Sequence, residues 1–147
     1  MPVVHPADTV VHELHGARFT SYAAPARGSS ELCAWRLDLA GGATGVPHTV
    51  SREEILFVLS GSLQVTFEPG TQPEATTPEA PTPGPAASPA ADQTQASRPG
   101  DAILVPAGST IRVDNPSTEP AAAWVTTSVG LEASLPDGSV ISPLWVR

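Results

Sequence analysis

Apolar and polar residues alternate along several short stretches of the chain. In residues 33–39 and 63–67 every second position is apolar. Side chains of a β-strand point alternately to the two faces of a sheet, so this period of two predicts strands with one buried face. Residues 55–59 are apolar at every position, which predicts a strand covered on both sides.

The rest of the chain continues this short-strand pattern. Further strands are predicted at residues 18–23, 102–105, 110–113, 121–129 and 140–146. Glycine, proline and asparagine separate them, as at Ser60-Gly61, Pro106-Ala107-Gly108 and Asn115-Pro116, and these residues are typical of tight turns. No stretch of ten or more residues has a helical period. The pattern predicts an all-β sandwich or barrel.

One segment departs from this pattern. Between Glu68 and Ala102 there is no Val, Ile, Leu, Met, Phe, Trp, Tyr or Cys, and eight of the 17 prolines lie there. Such a segment has little to bury in return for the entropy of ordering it, so we expect a flexible, proline-rich loop at about 68–99. As an alternative, Pro78-Glu79-Ala80-Pro81 has the PxxP pattern that proline-recognition modules bind.

Length and charge restrict the function classes. A chain of 147 residues is the size of one domain. Fifteen acidic residues against seven arginines, with no lysine, give a net charge of −8, which argues against nucleic-acid or anionic-membrane partners. Cys33 is the single cysteine, and the chain shows no signal peptide and no long apolar run, so we expect a soluble cytoplasmic protein.

Two blocks of the sequence carry a spacing pattern. The first block reads Gly42-x5-His48-x-Val50-x3-Glu54-x6-Gly61. The second block reads Gly100-x5-Pro106-x-Gly108-x2-Ile111-x3-Asn115. Together they resemble the two motifs of the cupin superfamily, G-x5-H-x-H-x3–4-E-x6-G and G-x5-P-x-G-x2-H-x3-N. The resemblance implies a single-domain jelly-roll barrel, the double-stranded β-helix.

The resemblance also implies a location for the functional site. In metal-dependent cupins, two histidines and the glutamate of the first motif and the histidine of the second hold one divalent ion. Here Val50 and Ile111 occupy two of those positions, so only His48 and Glu54 remain. A catalytic metal usually has about three protein ligands. We therefore expect His48, Val50, Glu54 and Ile111 to line a ligand pocket that holds no metal tightly.

Other ionisable residues are candidates for supporting roles. His5, His12 and His15 lie near the N-terminus, and one of them could reach the mouth of the barrel. Arg36 and Arg112 could clamp an anion, although their strand positions could equally face solvent. Cys33 alternates with apolar residues and is expected to be a small buried hydrophobe.

Three functions remain open. The first is small-molecule binding, with acid–base catalysis by His48 and Glu54 and no tightly held metal. The second is a metal-dependent enzyme, an oxygenase or isomerase, in which His48, Glu54 and a third ligand weakly bind Fe, Mn, Ni or Zn. The third is a non-catalytic interaction module that uses the proline-rich loop.

A structural role for the same pair is also open, with Glu54 as the hydrogen-bond partner of His48. The family resemblance further implies a homodimer, to which the N-terminal strands and the segment around Trp145 would contribute.

Overall fold

The computed structural model describes residues 3–69 and 93–147. Within these ranges the chain forms twelve β-strands and three short 3-10 helices. The strands are β1 (Val10–Leu14), β2 (Ala17–Ala23), β3 (Leu32–Leu39), β4 (His48–Val50), β5 (Glu54–Ser60), β6 (Leu63–Phe67), β7 (Gln93–Ser97), β8 (Ala102–Val105), β9 (Thr110–Asp114), β10 (Ala121–Ser128), β11 (Ala133–Ser134) and β12 (Val140–Ile141). The 3-10 helices are Pro6–Asp8, Pro25–Arg27 and Leu144–Val146. No helix in the described part of the chain has the length and hydrophobicity needed to cross a membrane.

The strands form two six-stranded sheets that face each other. The first has the order β1-β2-β3-β10-β5-β8, and the second has the order β12-β11-β4-β9-β6-β7. From β3 to β6, and again from β8 to β11, successive strands lie in alternate sheets, and all pairings are antiparallel. This winding confirms the predicted all-β jelly-roll barrel.

The inward faces of the sheets form the hydrophobic core, as the alternation predicts. Strand β3 buries Cys33, Trp35, Leu37 and Leu39, and β6 buries the apolar positions of its own alternation. Cys33 is fully buried, and burial raises the pKa of its thiol. The prediction that Cys33 is a small core residue is confirmed.

The prediction that residues 55–59 are covered on both sides is wrong. Leu56 and Val58 are buried, but Ile55, Phe57 and Leu59 on the other face are between 41% and 46% exposed. The inward face of β5 packs in the barrel, whereas no described segment forms a layer outside it. A fully apolar strand in this chain is therefore half solvent-facing.

Two predicted boundaries also differ from the structure. The loop expected at about 68–99 does not continue to residue 99, because Gln93–Ser97 forms strand β7 and pairs with β6. Backbone hydrogen bonds to β6 hold this edge strand in the sheet. It can therefore form even though its side chains are polar and mostly exposed. Residues 70–92, including the PxxP pattern, lie outside the described residues.

The strand predicted at 140–146 ends early. Only Val140–Ile141 pairs with β11, and Leu144–Val146 forms a 3-10 helix. Pro143 separates the two elements. Because proline has no backbone N–H to donate, it stops the ladder there.

Landmark residues of the two sequence blocks hold the turns. Gly61, between β5 and β6, has a φ of 69°, and a Cβ at this position would lie 2.5 Å from the carbonyl oxygen of Pro120. Asn115 is fully buried, and its side-chain amide donates to the carbonyl oxygen of Glu119 at 2.7 Å. Its Oδ1 accepts the backbone N–H of Ser117 at 3.1 Å. Asn115 thus ends β9 by bonding local backbone, at one of the turns that the sequence predicts.

Candidate ligand-binding site

A cavity of about 170 Å³ lies between the two sheets. Its wall is mostly apolar and comes from the inward faces of both sheets, the turn between β1 and β2, and the C-terminal segment. Representative apolar wall residues are Phe19, Trp35, Leu56, Val125, Leu131 and Trp145. The cavity is therefore the place where the barrel can enclose a small apolar molecule.

The four positions singled out from the sequence all lie in the wall of this cavity. His48 and Val50 are two residues apart on β4, so both face inward. Ile111 on β9 pairs directly with His48 in the second sheet. Glu54 projects from β5 in the first sheet. The fold thus brings the four side chains to one cavity from opposite sheets.

Glu54 is the notable polar group of the wall. Glu54 is only 6% exposed, and its carboxyl has no hydrogen bond or ion pair among the described residues. Burial penalises the charged form and raises the pKa of Glu54 from 4.5 to about 7. The carboxyl therefore exchanges its proton near neutral pH.

The tautomer of His48 follows from its one hydrogen bond. The Nδ1 atom lies 2.9 Å from the carbonyl oxygen of Val46. A carbonyl oxygen only accepts, so Nδ1 carries the proton and Nε2 of the neutral ring is an acceptor. No hydrogen bond joins His48 to Glu54 within the described ranges. The structure thus does not show the pairing of these two residues that was left open as a structural role.

The described residues do not fit a metal ion at the family position. Val50 and Ile111 offer no donor atom, and the described ranges contain no cluster of three or more His, Cys, Asp or Glu side chains that could hold an ion. His48 and Glu54 alone are fewer than the three ligands that a catalytic metal usually has. The polar groups at this position are the imidazole of His48 and the carboxyl of Glu54.

The three N-terminal histidines have different surroundings. His15, in the turn between β1 and β2, lies at the cavity wall and has a φ of 51°, a left-handed conformation that is uncommon outside glycine. His12 lies on β1 with its ring centroid 6.4 Å from that of Trp145. His5 is exposed beside the first 3-10 helix. Of the three, His15 lies in the cavity wall, which the sequence left open as a possibility for one of them.

Neither arginine considered as an anion clamp lies in the cavity wall. Arg36 Nε donates to Asp38 Oδ1 at 3.0 Å, and Arg112 Nε donates to Asp114 Oδ2 at 2.8 Å. Both side chains are more than 40% exposed. Both arginines therefore face solvent, which was the alternative to an anion clamp.

An aromatic part of the wall was missed by the sequence reasoning. Phe19 and Trp145 stack with ring centroids 3.7 Å apart and planes 9° from parallel. Trp35 lies against the same tryptophan at 6.4 Å. The phase of Trp35 on β3 indicated an inward position, but nothing in the sequence showed that the C-terminal segment folds back onto β2. There the Ser21 hydroxyl donates to the carbonyl oxygen of Trp145 at 2.8 Å.

Comparisons with solved structures agree with this architecture. The polyketide cyclase RemF from Streptomyces resistomycificus has a TM-score of 0.65 and 15% identity, covering 87% of this chain and 79% of that one. An RmlC-like cupin from Shewanella frigidimarina has a TM-score of 0.61 and 15% identity, covering 87% and 90%. Oxalate decarboxylase from Bacillus subtilis has a TM-score of 0.65 and 17% identity, covering 93% of this chain but only 30% of that one. At these identities the likeness concerns the fold alone.

No curated protein sequence matches the chain. A family model described as Cupin matches residues 17–142, which include both motif blocks and every strand from β2 to β12. The match covers most of the chain. This chain therefore belongs to the cupin family.

Proposed function

We propose that the chain binds an apolar small molecule in its barrel cavity and that Glu54 transfers a proton to or from it. One observation carries this proposal. A buried carboxyl without any described partner lies in the wall of an otherwise apolar cavity. A structural carboxylate at such depth is normally satisfied by hydrogen bonds or by a cation, so its missing partner is best explained as the ligand.

The surroundings of Glu54 suit general acid–base catalysis. Such catalysis is most effective when the pKa of the group lies near the working pH, and the pKa of Glu54 is about 7. Glu54 is only 6% exposed, so little water reaches its ionised carboxylate. Its basicity is then available to a carbon acid in the cavity.

His48 supplies a second polar group in the cavity wall. Because Nδ1 is held by the carbonyl oxygen of Val46, Nε2 can accept a hydrogen bond or a proton from the ligand. Glu54 and His48 come from different sheets and are not bonded to each other among the described residues, so each is free to contact the same ligand.

The rival functions have less support. A metal-dependent enzyme would need a third ligand that the described residues do not supply near His48 and Glu54. An interaction module would depend on the proline-rich segment, most of which lies outside the described residues. The polyketide cyclase named among the structural neighbours supports an organic small molecule as ligand and nothing more specific.

The homodimer also remains a proposal. Light scattering combined with size-exclusion chromatography tests it directly. A mass of twice one chain supports it, and a mass of one chain contradicts it.

A proton-abstraction probe tests the role of Glu54. Nitrobenzisoxazole is a small aromatic molecule whose C–H proton would pass to the Glu54 carboxylate, while its N–O bond breaks and releases a coloured cyanophenolate. We expect the wild-type rate to exceed that of Glu54→Gln by about a hundredfold, the lower end of general-base contributions. The rate should rise with pH through about 7, because the ionised carboxylate is the base.

Glu53→Gln is the matched control, since this neighbouring glutamate is exposed and outside the cavity wall. Its rate should equal that of the wild type. Equal rates for wild type and Glu54→Gln, with both proteins folded by their NMR spectra, would refute the proposed proton transfer.

A further inference from the structure

We propose that the cavity selects uncharged aromatic molecules bearing a hydroxyl group and excludes carboxylates and phosphates. This inference rests on the proposed binding site but not on catalysis there. It starts from the charges in the wall. The ionisable wall residues are His15, His48 and Glu54, and no arginine lies among them. The sequence has no lysine at all.

An anionic ligand would therefore find no arginine or lysine partner in the wall. Removing an anion from water costs several kcal/mol per ion unless a cation or several donors receive it. In this cavity the anion would instead share the space with the carboxyl of Glu54. Arg36 and Arg112 cannot compensate from where they are, because they are bonded to Asp38 and Asp114 outside the wall.

The aromatic wall favours a planar ring. Phe19 and Trp145 form a stacked pair, and Trp35 stands at 59° to that tryptophan, so the wall contains aromatic rings in two orientations. Aromatic ligands gain from both arrangements. The volume of about 170 Å³ is close to the ~150 Å³ of an apolar cavity known to hold benzene. The enclosed part thus has room for one ring with small substituents.

The two polar groups favour a hydroxyl over an ammonium group. A hydroxyl can donate to Nε2 of His48. It can also donate to Glu54 when that carboxyl is ionised and accept from it when it is protonated. An ammonium group only donates, so it can bind Nε2 of His48 and the ionised carboxyl, but it cannot accept the proton that the protonated carboxyl of Glu54 donates. A hydroxyl is the group that both protonation states of the cavity satisfy.

Affinities of three small probes test this selection. The probes are p-cresol, benzoate and benzylammonium, and their dissociation constants are measured at neutral pH by NMR titration of the full chain. We expect p-cresol to bind at least about tenfold more tightly than either charged probe, a difference of about 1.4 kcal/mol. Benzoate binding as tightly as p-cresol would overturn the exclusion of anions. Benzylammonium binding most tightly would overturn the choice of a hydroxyl.

Glu54→Gln tests the electrostatic reason, because glutamine keeps the shape of the side chain and removes its charge. Benzoate should gain about tenfold in affinity, while p-cresol should change by less than about threefold. The exposed Glu53→Gln control should change neither. Unchanged benzoate affinity in folded Glu54→Gln would overturn the charge argument.

The elimination assay and the probe affinities test the two proposals independently. Probe selectivity without base-catalysed elimination would refute the proton transfer and leave the ligand class standing. Elimination with tight benzoate binding would do the reverse.

Discussion

Two carboxylates of this barrel are almost equally buried but differ in every other respect. Glu54 on β5 is 6% exposed, and Asp114 at the end of β9 is 7% exposed. Asp114 accepts the backbone N–H of Gly45 at 2.8 Å and the Nε–H of Arg112 at 2.8 Å. Glu54 has no such partner among the described residues. The extent of burial alone therefore does not distinguish the two carboxylates.

This difference in hydrogen-bond partners separates a carboxylate that stabilises the fold from one that is available to a ligand. The bond from Gly45 ties the loop before β4 to the end of β9, so Asp114 holds two segments together. Glu54 holds no segment and faces the cavity, where its pKa is raised to about 7. Missing partners, more than burial, mark the group that is available to a ligand.

The largest expected effect is on the pH dependence of stability. The pKa of Glu54 is higher in the folded state than its ordinary value of 4.5, so the folded state binds more protons between about pH 4.5 and about pH 7. The free energy of unfolding should therefore fall as pH rises through this window. The fall is about 3 kcal/mol, since each pKa unit corresponds to about 1.4 kcal/mol.

Glu54→Gln removes this titration and should be the more stable protein above about pH 7. Urea unfolding across the pH series measures the difference, with Glu53→Gln as control. If Glu54→Gln and wild type lose stability in parallel, Glu54 is not the buried titrating group.

A second change would give Glu54 the partners that it lacks. Val50→His with Ile111→His places two more donors in the wall beside His48 and Glu54. We expect the double variant to bind zinc, and saturation at a hundred times the dissociation constant would raise its unfolding free energy by about 2.7 kcal/mol. Thermal unfolding with and without zinc measures this gain. No gain in the variant would mean that the four positions do not converge.

Removing the partnered carboxylate should destabilise the fold at all pH values near neutrality. Asp114→Ala leaves the N–H of Gly45 without its acceptor, at a cost of about 2 kcal/mol. Denaturant unfolding checks this value. The affinity for p-cresol should change much less than the stability, because Asp114 itself is outside the cavity wall and acts on it only through Gly45. A variant with normal stability but weaker binding would reverse the assigned roles.

The smallest expected effect comes from the partner of Asp114. The side chain of Arg112 is 42% exposed, and exposed ion pairs contribute less than about 1 kcal/mol. Arg112→Ala should therefore lower the unfolding free energy only slightly, because the bond from Gly45 remains. A loss as large as that of Asp114→Ala would show that the arginine, not the Gly45 amide, is the main partner.

The sequence predicted the parts of the fold that follow from local rules. Alternation on β3 and β6 predicted their buried faces, and Gly61 and Asn115 predicted turns, because both signals lie within a few residues of chain. The outward face of β5 was mispredicted. A fully apolar run shows that a strand is hydrophobic but not whether another layer covers it.

The candidate site was only partly predictable. Motif spacing pointed to His48, Val50, Glu54 and Ile111, and the structure places all four in one wall. The stacking of Trp145 on Phe19 depends on contacts between residues far apart in the chain, which spacing does not encode. The same is true of the contrast between Glu54 and Asp114, since hydrogen-bond partners are set by the tertiary fold.

The most direct test of the account is an NMR titration of the Glu54 side-chain carboxyl carbon, assigned by comparison with Glu54→Gln. The account predicts a midpoint near 7, because the carboxyl is buried in an apolar wall without a partner. A midpoint at the ordinary value of 4.5 would show that the carboxyl is solvated or paired in solution and would contradict the account.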